Sequence, residues 1–254
     1  TRYALASEYM WKQVRDTVWK RDLGRMAWFV DDHGQTRLDT TYHGICYPII
    51  YGQVDSFDGM SSADHLLHRM SGAEGEVYQS NHFGDHAYWG VPTWGMQAGS
   101  DMQPFATSAY AKLGLTEEAY RPLKFVADRV CGPFQRGAFP ETANEKRFAY
   151  FSPSAGVYAQ EMIESVFGVT RDRIHGVTTV SPCFPKAWPT AELCLPDLSM
   201  TYTRGEKQGS TETHTLAITS PDGLNKRLLW RIPHAVHPNV TVNGAAVPTE
   251  IAYK

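Results

Sequence analysis

The sequence lacks several features that would assign it to a common functional class. No apolar run approaches the roughly 18 residues that a membrane helix needs. Lys and Arg are scattered, and the formal net charge is -3, which disfavours nucleic acid or an anionic membrane as the main partner. There is no GxGxxG or Walker-type phosphate loop and no GxSxG nucleophile elbow. No cofactor is therefore implied, and serine-hydrolase chemistry has no supporting motif.

Cysteine is also scarce and is not arranged for metal binding. The four cysteines are widely spaced and form no CxxC pair: Cys46, Cys131, Cys183 and Cys194. A zinc cluster is therefore not expected, while buried free thiols and one disulfide are equally compatible with the sequence. The chain starts at Thr1 almost directly in helical sequence, so we expect a processed product or a piece of a longer protein. A glycosylation sequon at Asn239 weakly favours a secreted or periplasmic location.

The remaining composition is that of a globular protein with two successive patterns. The chain has 254 residues, of which 42% are hydrophobic, enough for a substantial core. Helical spacing and capping signals predict helices over residues 2–19, 61–70, 104–114, 116–130 and 152–167, with a short hairpin over residues 27–39. After Arg173 the period changes to two, and Asn243-Gly244 marks a hairpin. We therefore predict a mainly α region, 1–172, followed by an all-β sandwich, 173–254.

The first candidate for chemistry is a glutamate in the stretch "GAFPE". Glu141 follows Pro140 in a loop rich in glycine and aromatic residues, including Phe139 and Phe151. A carboxylate placed by a rigid proline can act as a general base on a substrate water. A solvated loop carboxylate is the alternative interpretation.

The second candidate is the segment "YQSNHFGDHAYWGVPTWG", residues 78–95. Its aromatic rings can stack on sugar rings while its polar edges bind hydroxyl groups. The candidate residues are Tyr78, Asn81, His82, Asp85, His86, Tyr88, Trp89 and Trp94. His82 and His86 have the spacing of helical metal ligands, but Gly84 and Gly90 favour a loop, so no metal site is predicted. An aromatic plug in the core is the alternative.

A third candidate, Asp55, lies in the glycine-bounded stretch "YGQVDSFDG" together with Asp58. Aspartates at such places more often cap a helix or close a turn than perform catalysis. Asp55 is therefore retained as a substrate-binding candidate, with helix capping as the favoured interpretation.

Three stretches together resemble the end of the catalytic domain in six-hairpin glycosidases. They are "GAFPE", "FSPSAGVYAQEMIESVFGV" and "SPCFPKAWPTAEL", the last with Pro182, Pro185 and Trp188 in the pattern that leads into a C-terminal β-sandwich. The resemblance implies the C-terminal part of an (α/α)6 toroid with a trailing β-sandwich. A preceding segment or a second chain would complete the toroid.

The resemblance implies a glycoside hydrolase acting on an oligo- or polysaccharide. Glu141 would be the general base, and the general acid would be Asp85 or Asp55, if this chain contains it. His82, His86, Trp89 and Trp94 would orient the sugar, with Tyr78 and Asp55 as further contacts. Two alternatives stay open. One is a toroid polysaccharide lyase that uses Asn81, His82 and Tyr88, and the other is a non-catalytic carbohydrate-binding protein.

Overall fold

The computed structural model describes residues 2–80, 98, 102–132, 137–141, 151–220, 225–229 and 239–248. Six α-helices lie in these residues. They are α1 (Arg2–Val18), α2 (Tyr42–Ile50), α3 (Ser56–Arg69), α4 (Met102–Lys112), α5 (Thr116–Val130) and α6 (Ser152–Glu161). A π-helical turn, Met162–Val166, continues α6.

The strands of the described residues form small separate sheets. Three are two-stranded and antiparallel: β1 (Trp19–Lys20) with β2 (Arg25–Met26), β3 (Phe29–Val30) with β4 (Thr36–Arg37), and β11 (Thr241–Val242) with β12 (Ala245–Ala246). One antiparallel sheet contains β7 (Thr190–Leu195), β8 (Leu198–Arg204) and β9 (His214–Thr219). In the remaining three-stranded sheet, the central strand β6 (Val177–Val180) pairs antiparallel with β5 (Val169–Asp172) and parallel with β10 (Asn225–Leu228).

Many local predictions are confirmed. The first helix and the hairpin around Gly34 form as expected, and Asn243-Gly244 turns the last hairpin with positive φ at both residues. The starts of α3 and α4 differ. Asp55 caps α3, which begins at Ser56 instead of residue 61, and α4 begins at Met102 instead of residue 104. Helix α5 begins at Thr116 as predicted, with Pro122 inside it. Short-range signals therefore predicted the type of most elements better than their first residues.

The predicted fold class is wrong, and so is the resemblance to an (α/α)6 toroid. Six helices in the described residues are too few for that ring, and four short strands already lie between α1 and α2. The fold is a mixed one with small sheets. The C-terminal strands also do not form a separate β-sandwich. Their hydrophobic core includes residues of the preceding helices.

That shared core explains why a periodic pattern alone misassigned the fold class. One hydrophobic cluster joins Leu123 of α5 and Val166 of the π turn to Val180 of β6 and Met200 of β8. A strand with one buried face has the same alternating sequence whether a sheet or a helix covers it. The division of the chain at residue 172 stays a prediction.

A second cluster positions the site described below. It packs α2, α3 and α4 together through buried side chains such as Ile45, Leu66, Ala106 and Tyr110. A smaller cluster contains Ala98, Phe125, Val126 and Val130, against which Tyr78, Phe139 and Tyr158 pack. Buried apolar area of this kind supplies most of the stabilisation of a fold.

Gly168 follows the π turn and lies close to the backbone of Ser181, so its substitution tests the packing between these two segments. Its φ is +70°, and a Cβ there would lie 1.9 Å from the backbone oxygen of Ser181. The Ser181 N–H also donates a hydrogen bond to the Gly168 carbonyl at 2.9 Å. The two segments therefore approach more closely than any side chain at position 168 permits.

We expect Gly168→Ala to destabilise the protein much more than Gly176→Ala. Gly176 has a similar φ of +64° but no atom within 4 Å of its virtual Cβ. Both variants bear the left-handed backbone cost of about 1–2 kcal/mol. Gly168→Ala adds an overpacking cost of about 1–3 kcal/mol. Chemical denaturation measures the free energy of unfolding of each variant, and equal losses would contradict this account.

Candidate functional site

A pocket of about 480 Å³ lies among α1, the chain around β2 and β3, and α2. We call it the aromatic pocket. Its lining residues are Trp11, Met26, Ala27, Trp28, Thr40, Thr41, His43, Gly44, Tyr47, Pro48, Tyr51 and Gln53. This volume is in the usual range for small-ligand sites, and a wall of aromatic rings with a few polar groups is typical of them.

The local sequence places these side chains on one wall. His43, Tyr47 and Tyr51 are four residues apart, so they follow one face of α2 and its end. Thr41 starts that helix, because its Oγ1 accepts a hydrogen bond from the Gly44 N–H at 3.3 Å. Gln53 follows α2, and its N–H donates to the Pro48 carbonyl at 2.7 Å.

The opposite wall is held by backbone hydrogen bonds. The Ala27 N–H donates to the Val18 carbonyl at 2.8 Å, and the Trp28 N–H donates to the Arg37 carbonyl at 3.0 Å. The segment that carries Met26, Ala27 and Trp28 is therefore fixed between the end of α1 and the β3–β4 hairpin. Trp28 is half-buried and lines the pocket.

The aromatic rings of α2 support one another. The His43 and Tyr47 ring centroids are 5.2 Å apart in an edge arrangement, and Tyr47 meets Phe105 of α4 edge-on at 5.5 Å. Tyr47 is also 6.0 Å from Tyr51. Edge contacts at such distances are favourable, so this wall is organised before any ligand arrives.

The pocket is electrically neutral. Among the described residues that line it there is no Asp, Glu, Lys or Arg. His43 is half-buried, and burial lowers its pKa, so the imidazole is uncharged at neutral pH. Hydroxyl, amide and imidazole groups are therefore the polar contacts that the pocket offers.

Glu141, the predicted general base, lies in a loop that is fixed near both sides. The Gly137 N–H donates to the Val130 carbonyl at 2.7 Å, and the Phe151 N–H donates to the Phe139 carbonyl at 2.8 Å. The Phe139 ring packs against Tyr158 of α6 with 5.3 Å between centroids. Glu141 itself is half-buried and does not line the aromatic pocket.

Tyr78 lies close to the same supporting cluster as the Glu141 loop. Both Tyr78 and Phe139 pack against the Ala98 and Phe125 cluster. The Tyr78 hydroxyl donates to Glu76 Oε1 at 3.0 Å. Burial, and then this hydrogen bond to the carboxylate, raise the pKa of Tyr78. Tyr78 is therefore a neutral, oriented phenol at neutral pH.

Asp55 has the structural role of a helix cap. Its Oδ1 accepts a hydrogen bond from the Asp58 N–H at 2.9 Å at the start of α3. It does not line the aromatic pocket. The structure therefore accounts for Asp55 without a ligand.

The other candidates lie outside the described residues: Asn81, His82, Asp85, His86, Tyr88, Trp89 and Trp94. The chain that carries them continues from Ser80, which is buried and forms a β-bridge with Thr41 in the pocket wall. The Tyr42 N–H also donates to the Gln79 carbonyl at 3.0 Å. The predicted sugar-binding segment thus begins at the aromatic pocket.

Sequence reasoning missed the pocket residues themselves. Trp11, Trp28, His43, Tyr47 and Tyr51 were not singled out. The available signal was the four-residue spacing of His43, Tyr47 and Tyr51. Trp11 and Trp28 are brought to the same pocket only by tertiary structure, which local spacing does not reveal.

Comparisons with known proteins add no assignment, since neither a family model nor a curated protein matches this sequence. In the part of the chain that the structure describes, no helix combines the length and apolar character needed to cross a membrane. The same residues contain no group of three or more His, Cys, Asp or Glu side chains arranged to hold a metal ion. The case for function therefore depends on the site itself.

The capping role of Asp55 gives a direct test. We expect Asp55→Ala to lower the free energy of unfolding by about 1 kcal/mol. Asp55→Asn should retain most of the stability of the unchanged protein, because asparagine also caps helices. Denaturant unfolding measures both. A loss of glycan turnover in Asp55→Asn, with stability intact, would instead return Asp55 to the catalytic candidates.

Proposed function

We propose that this protein acts on an oligo- or polysaccharide as a glycoside hydrolase and that the aromatic pocket binds the sugar. The observation that carries the proposal is the pocket, where the rings of Trp11, Trp28, Tyr47 and Tyr51 meet the polar groups of Thr40 and Gln53. Aromatic faces pack on the C–H faces of sugars, and polar edges bind their hydroxyl groups.

Catalysis requires carboxyl groups that the described pocket lining does not include. A glycosidase normally uses a pair of them, one as acid and one as base or nucleophile. Glu141 is the candidate base, supported by its loop, which is fixed by hydrogen bonds at Gly137 and Phe139. Asp85 is the candidate acid on sequence grounds alone, since it lies outside the described residues.

A non-catalytic carbohydrate-binding protein is the second candidate. It is favoured by the absence of Asp and Glu among the described residues that line the aromatic pocket. Such a protein would bind the same glycan without turnover. Binding and turnover must therefore be measured separately.

Binding is tested by removing the rings. We expect Trp11→Ala and Trp28→Ala each to weaken glycan binding by about three- to tenfold, because each removes a stacking surface. Tyr3→Ala and Phe57→Ala are matched controls, since both rings are exposed and do not line the pocket. Isothermal titration with a glycan panel gives the affinities. Equal effects of all four variants would exclude the pocket as the binding site.

Turnover is tested at Glu141. We expect Glu141→Gln to reduce the release of new reducing ends by about a hundredfold or more, as removal of a general base does. Glu206→Gln, on an exposed loop, is the control. Ultraviolet absorbance of unsaturated products is recorded in parallel, because a lyase would produce it and a hydrolase would not. Undiminished binding with no turnover in any variant would favour the non-catalytic candidate.

A further inference from the structure

Two charged residues, Arg25 and Asp39, are next in sequence to lining residues of the aromatic pocket but do not line it themselves. Arg25 precedes the lining residues Met26–Trp28, and Asp39 precedes the lining residues Thr40 and Thr41. The carboxylates of Asp22 and Asp39 interact with the Arg25 guanidinium. Arg25 Nη1 also donates to the Leu23 carbonyl at 3.4 Å. Arg25 thus has an electrostatic attraction to two carboxylates, and it does not line the pocket.

Strand geometry explains why the side chains of Arg25 and Met26 point in opposite directions. Successive side chains of a strand point to opposite faces. Because Met26 of β2 lines the pocket, its neighbour Arg25 points to the other side, where it lies opposite Lys20 of β1. The short β2 strand thus presents an apolar side chain to the ligand and keeps the cation away from it.

Among the described residues that line the pocket, there is therefore no cation to receive an anionic ligand. Moving a carboxylate or sulfate out of water is unfavourable unless a cation or several donors replace its hydration. A sugar hydroxyl needs much less, because one hydroxyl, amide or imidazole group can pair with it. His43 is uncharged at neutral pH, so it also cannot act as the missing cation.

We infer that the aromatic pocket selects neutral sugars and rejects uronates and sulfated sugars. This inference rests on the proposed carbohydrate function and names its substrate class. It also bears on mechanism, because a lyase needs a uronate at its reacting centre. A neutral-sugar pocket is compatible with hydrolysis and with simple binding.

The test compares glycans that differ only in charge. The panel pairs gluco-, manno- and galacto-oligosaccharides with counterparts of the same linkage in which the CH₂OH group is oxidised to a carboxylate. Titration of the full chain at neutral pH should give at least about tenfold tighter binding of the neutral member in every pair that binds. Methyl esterification of the uronate, which removes its charge, should restore most of the lost affinity.

A charge placed in the pocket provides the complementary test. Gln53 is a half-buried lining residue whose Nε2 donates only weakly, to the Tyr51 carbonyl at 3.5 Å. Gln53→Lys adds an ammonium group there and should reduce the preference for neutral sugars severalfold. Phe57→Lys is the control, because Phe57 is exposed and does not line the pocket.

The outcomes separate this inference from the proposed function. A uronate that binds as tightly as its neutral counterpart, or more tightly, overturns the inference while supporting carbohydrate binding. Unchanged selectivity in Gln53→Lys shows that selection occurs elsewhere, which also overturns it. If neither member of any pair binds, the proposed function fails and the inference fails with it.

Discussion

The arrangement of the site depends on the hydrogen bonds around Thr41. Its side chain caps α2, and its backbone bridges to Ser80. It also contributes to the pocket wall. One residue thus starts the helix that carries His43, Tyr47 and Tyr51 and fixes the point from which the aromatic segment after Ser80 continues. Local capping energy of about 1 kcal/mol is small, but here it coincides with a tertiary contact that determines the geometry of the site.

Charge distribution is the second constraint on function. The aromatic pocket is neutral, and the nearby cation Arg25 interacts with Asp22 and Asp39. An interior without charges favours stacking and hydroxyl contacts over ion pairing. Under the proposed hydrolase function, the acid and base would therefore come from carboxyl groups outside the described pocket lining. The proposal thus places recognition and catalysis in different parts of the chain.

The sequence predicted local structure better than tertiary arrangement. The period-two run at β8 and the turn at Asn243 were recognisable because both depend on neighbouring residues alone. The toroid was not a valid inference, since the packing of Leu123 against Met200 joins residues that no local pattern relates. The aromatic pocket was missed for the same reason. Trp11 and Trp28 meet α2 only through the fold. Helix capping was the favoured interpretation of Asp55, although the helix itself was predicted to start only at residue 61.

If the proposed function is correct, the separation of the binding pocket from Glu141 fits a polymeric substrate. A chain of sugars extends over several contact sites, so one ring can bind a neutral aromatic wall while another lies near a carboxylate. The binding energy at the first position can then orient the bond at the second, provided that both are held rigidly. Rigid support is present at both places, in the edge contact between Tyr47 and Phe105 and in the packing of Phe139 on Tyr158. A single small sugar would gain nothing from such an arrangement, and this favours an oligo- or polysaccharide as the ligand.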